Sequence, residues 1–89
     1  MEERSALLSN ALDVLDRLFD RETQIIDVNA VLYATGLALR PDVLSPLFLD
    51  AAAKLGMIRR AGLPAEDARE SALRSTNPLR VALAEALEG

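Results

Sequence analysis

The chain has no cysteine, no histidine and no tryptophan, one lysine (Lys54), one tyrosine and two phenylalanines. Each shortage excludes something. Without cysteine there is no disulfide staple, no thiol nucleophile and no thiolate metal site, and the redox compartment leaves no trace. Without histidine the commonest general base is missing, so Ser5, Ser9, Ser45, Ser71 and Ser75 have no visible activator. The expectation is a protein that is not an enzyme and holds no metal and no cofactor.

Long apolar runs are also lacking. The longest, residues 25–39, contains Asp27 and meets Arg40, and it is shorter than the roughly 20 residues that span a bilayer. Positive charge is scarce: the formal net charge is −4, the sequence pI is about 4.7, and Arg59-Arg60 is the only adjacent basic pair. A phosphate-rich surface repels such a chain, so neither nucleic acid nor membrane is expected as a partner. The start, Met1-Glu2-Glu3-Arg4, shows no basic stretch leading into an apolar one, and a cytoplasmic location is the default. There is no strand-like alternation and no internal repeat.

What remains is rich in alanine and leucine and 51% hydrophobic. Eighty-nine residues of this kind predict one all-α domain, residues 1–89: a compact bundle of four to five short helices around a central apolar helix. The central element is 25–39, apolar on nearly every side and therefore expected to have neighbours on several flanks. Asp27 is expected to cap its start, and Arg40-Pro41 to mark its end. A first helix is expected over about 5–20, with Leu8, Leu12, Leu15, Leu18 and Phe19 inward. Ser45 should cap a third helix with Pro46 as its first residue, Asp50 pairing with Lys54 and Gly62 closing it. A polar fourth helix after Pro64 should break at Ser75-Thr76-Asn77-Pro78 and give way to a fifth. Gly36 and Gly56 fall inside helices, as residues do at close helix crossings.

Two polar constellations stand out. Asp13, Asp16 and Asp20 recur at three and four residues and share one helix face, though without the alternate-oxygen pattern of a calcium loop. Asn29, Tyr33, Gly36 and Arg40 recur at four, three and four on the central helix. Tyr and Arg are common binding anchors. Asp13, Asp16, Asp20, Asn29, Tyr33 and Arg40 are therefore the candidate partner-binding residues.

In length, charge sign and helical layout the chain resembles the small acidic all-helical immunity proteins that bacteria make against nuclease toxins. The resemblance carries over no individual residue. It implies a protein that neutralises or regulates a protein partner, with a basic toxin as the specific case. The alternative is a non-enzymatic self-association or adaptor module. Val14, Leu37, Val43, Leu63 and Val81 lie off the main apolar stripes and could cover a second copy in a homodimer.

Overall fold

The computed structural model describes residues 2–20 and 23–88. Four α-helices account for most of them: α1 (Glu2–Asp16), α2 (Ile25–Ala38), α3 (Ser45–Ala61) and α4 (Ala65–Glu88). No strand occurs among the described residues. The Cα radius of gyration, 12.4 Å, is close to the roughly 12 Å of a compact chain of this length.

Helix α1 ends at Asp16, and its expected last turn tightens into a 3-10 turn, Arg17–Phe19. Leu8, Ala11, Leu15 and Leu18 are buried as their spacing requires. Phe19 is instead 65% exposed, with the Arg80 guanidinium 5.1 Å from its ring centre. The start of α1 is tied to the α2–α3 turn, where Arg4 Nε donates to Asp42 Oδ2 at 2.5 Å. That ion pair holds the Asp42 carboxyl below its usual range, helped by the Leu44 N–H donating to Asp42 Oδ1 at 2.9 Å.

Helix α2 starts at Ile25, with Gln24 at the cap and no side-chain cap bond. Asp27 therefore sits in the first turn, where its charge suits the helix's positive end, and is not the cap. Ser45 is likewise not a cap. It is buried, and its Oγ donates to the Gly36 carbonyl at 2.7 Å, fastening α3 to α2. Asp42 takes the free N–H at this turn instead. Pro46 stands in the first turn of α3, and Gly62 ends that helix at φ 68°, ψ 31°, a left-handed conformation that glycine reaches without strain. Asp50 and Lys54 pair at 3.0 Å.

The expected fourth and fifth helices are one helix. α4 runs unbroken through Pro78 for 24 residues, about 36 Å at the usual rise, in a molecule 40 Å in its longest extent. A proline inside a helix costs about 3 kcal/mol. Continuity keeps Ala72, Thr76, Leu79 and Leu83, spaced at four, three and four, buried along one side of a single helix. Asn77 and Pro78 lie on the exposed side, as does Arg74, whose carbonyl loses its donor to the proline and can turn to solvent. On the buried side the Thr76 hydroxyl donates back to the Ala72 carbonyl at 2.8 Å, a bond that lets the helix bend.

Helices α2 and α3 form an antiparallel hairpin. Gly36 lies against Phe48 and Leu49, while Gly56 lies near Asn29. α4 packs on α3 and, antiparallel, on α1: Arg80 donates to the Leu15 carbonyl at 3.0 Å and Arg69 to the Asp20 carbonyl at 3.2 Å. The core is contributed by all four helices, with Leu15, Leu32, Phe48, Leu55 and Leu83 completely enclosed.

The run 25–39 is less enclosed than its composition suggests. Val28, Leu32, Thr35 and Gly36 face inward, but Ile26 is 50% exposed, Tyr33 55% and Leu37 38%. Its packing is chiefly against α3 and α1, so one apolar side of α2 stays wet. Of the five off-stripe residues, Val14 joins the core, and the other four are exposed.

Candidate functional site

The wet side of α2 adjoins an equally apolar strip of α3. Ile26, Ala30, Tyr33 and Leu37 recur at four, three and four residues. That spacing lines them along one face. Beside them lie Leu49, Ala53 and Met57 of α3, the last 63% exposed. Between the strips runs an open groove of about 510 Å³, with Asn29, Ala52 and Gly56 in its floor and Arg59 and Arg60 at one end. A second hollow, about 430 Å³, adjoins it through the shared residues Ile26 and Arg59 and reaches Leu63 and Ala68.

The hairpin positions these groups. The tight approach at Gly36 pulls the helices together at the turn end, while Asn29 and Gly56 leave a shallow opening at the other. Large side chains at Ile26, Tyr33 and Met57 then stand as walls around small ones at Ala30, Ala52 and Ala53. Methionine walls adapt to differently shaped occupants, and Tyr adds rigid amphipathic area.

The candidate residues divide between two surfaces. Asn29 and Tyr33 line the groove; exposed Arg40 does not, and follows the end of α2. Gly36, in the same sequence pattern, is turned into α3 and forms no part of the exposed strip. Asp13, Asp16 and Asp20 are exposed on a different side, where α1 meets α4: Asp16 Oδ1 lies 3.4 Å from Arg80 Nε. None of the three lines the groove. Leu37 was expected off the main stripes and is exposed, whereas Ile26 and Met57 were not expected as surface residues. The signal was present as a second apolar stripe on α2, offset from the buried one, but it read as further core.

Chemically the groove offers contact area and two guanidiniums. Among the described residues no cluster of three or more Asp, Glu, His or Cys is placed to hold a metal ion, and no helix is long and apolar enough to cross a membrane. Compared with protein-family models, curated proteins and solved structures, the chain matches none of them.

Proposed function

We propose that this chain is a non-enzymatic protein-binding domain that neutralises or regulates a protein partner, with the α2–α3 groove as its anchoring surface. The supporting observation is the continuous exposed strip of Ile26, Tyr33, Leu37 and Met57 on a domain whose core is otherwise complete. Contiguous apolar surface on a small soluble domain marks an interaction site far more often than scattered apolar residues do. The toxin-neutralising form of this reading is supported by the net charge of −4 and by exposed Asp13, Asp16 and Asp20. Such charges raise the association rate with a basic partner, while the groove governs how long the complex lasts.

A second reading, a symmetric homodimer through the same face, is supported by the four-three-four spacing, which helix pairs use for their seams. Co-purification with the product of the adjoining reading frame tests the first reading. The wild-type chain retains that protein, and Met57→Asp loses it. Recovery of the chain alone, self-associated at high concentration and monomeric as Met57→Asp, favours the second.

A further inference from the structure

The groove has the opposite charge to the chain that carries it. Acids outnumber bases 14 to 10 overall, yet the described lining includes Arg59 and Arg60 and no acid. The acid that follows Leu49 along α3, Asp50, is held by Lys54 at 3.0 Å. Arg59 and Arg60 stand in the last turn of α3, whose negative end amounts to about half a charge. Two guanidiniums exceed that, so the groove end stays positive. Exposed Arg40 follows the end of α2, seven residues on from Tyr33 at the groove's other end. From Ile26 to Tyr33 the α2 wall of the groove is about 10 Å long, two turns of a helix, and the exposed strip of α2 continues to Leu37, about 17 Å in all.

We propose that the groove receives an acidic amphipathic helix of a protein partner. Its apolar stripe, spaced at three and four residues, would lie between Tyr33 and Met57, and its carboxylates would meet Arg59 and Arg60 at one end and Arg40 at the other. This rests on the reading of the domain as a protein-binding module and names the chemistry of the docked segment. A basic toxin can satisfy it, because a positive protein can still present one acidic helix. A second copy fits less well. A two-fold axis through the groove exchanges its ends, which sets Arg59 and Arg60 of one copy against Arg40 of the other with no acid in the described lining between them.

The test titrates the full chain with three synthetic helical peptides of about 18 residues that share one apolar stripe and carry Glu, Gln or Lys on its flanks. Amide chemical shifts report the site. The Glu peptide is expected to bind about tenfold more tightly than the Lys peptide, with the Gln peptide between, and to shift Ala30, Tyr33, Ala53 and Met57 most. Arg59→Glu combined with Arg60→Glu, both exposed, should reverse the order, and amides remote from the groove report that the fold is kept. Equal or tighter binding of the Lys peptide, shifts confined to another face, or binding of none of the three overturns the proposal. So does a dimer that buries the groove. A protein partner retained by Met57→Asp also removes it, while leaving the protein-binding reading intact.

Discussion

The two helical glycines should respond in opposite senses to the same substitution. A Cβ built on Gly36 would lie 2.8 Å from Leu49 Cδ2 and 2.9 Å from Phe48 Cβ. Carbon atoms prefer about 3.5–4.0 Å, so the overlap is roughly 0.7 Å. Leu49 can rotate away, but Phe48 Cβ is fixed to the α3 backbone, so the helices must part. Overpacking of this kind costs about 1–3 kcal/mol, and alanine's better helix propensity returns about 1. Gly36→Ala should therefore be destabilising by about 1 kcal/mol, lowering Tm by about 4–8 °C. At Gly56 the first obstacle is Arg60 Nη1 at 3.3 Å, the tip of a flexible side chain, and the next is Asn29 Nδ2 at 3.7 Å. Gly56→Ala should be neutral to stabilising, by up to about 1 kcal/mol. Urea unfolding followed by circular dichroism, with equal m-values, measures the contrast. If Gly36→Ala stabilises as much as Gly56→Ala, the close α2–α3 approach described above is wrong.

Four further outcomes follow from the structure. Leu32→Ala empties a fully enclosed site and should cost about 2–5 kcal/mol in the same urea experiment. Pro78→Ala restores a helical N–H on an exposed side and should raise stability by about 2 kcal/mol, the helix gain less the lost stiffening of the unfolded chain; a loss would contradict the continuous α4. Because Arg4 depresses the Asp42 carboxyl, that group's contribution is complete above its unfolded value of about 3.8 and fades as pH falls through the lower folded value. Acid unfolding of Asp42→Asn should accordingly be shallower below about pH 4 than that of the wild type. Reversing Asp13, Asp16 and Asp20 to Lys should slow capture of a basic partner, whereas Tyr33→Ala should speed its release; stopped-flow binding separates the two.

Most of the fold was legible because period and punctuation agreed. Val28, Leu32 and Leu39 are inside with Leu15, Leu18, Phe48, Leu55 and Leu83, while Leu12 and Val31 are half-buried and Phe19, expected inward, is exposed. The misreadings share a cause: local signals were outweighed by packing that sequence does not display. Pro78 reads as the start of a separate helix with Leu79 and Leu83 inward; both are inward, but on the same helix as Ala72 and Thr76. Ser45 reads as a cap until the Gly36 carbonyl lies within its reach. The site was half legible. Tyr33 and Asn29 drew notice as polar exceptions, but an apolar residue cannot announce that its partner is missing. Ile26 and Met57 became surface residues only when the number of helices available to cover α2 was known.

The long α4 has a consequence for the order in which the molecule assembles. Its contacts with α1 join residues far apart in the chain: Arg80 reaches back to Leu15, a separation of 65. The α2–α3 hairpin closes over a few residues and is the local unit, favoured to form early. A growing chain would thus expose the inner face of α1 until nearly the whole sequence had been made, and the folded state would come as one late event. Truncation after Ala61 should accordingly abolish the cooperative urea transition. A sharp transition in that fragment would mean that α4 is an addition to a finished domain and not its closing member.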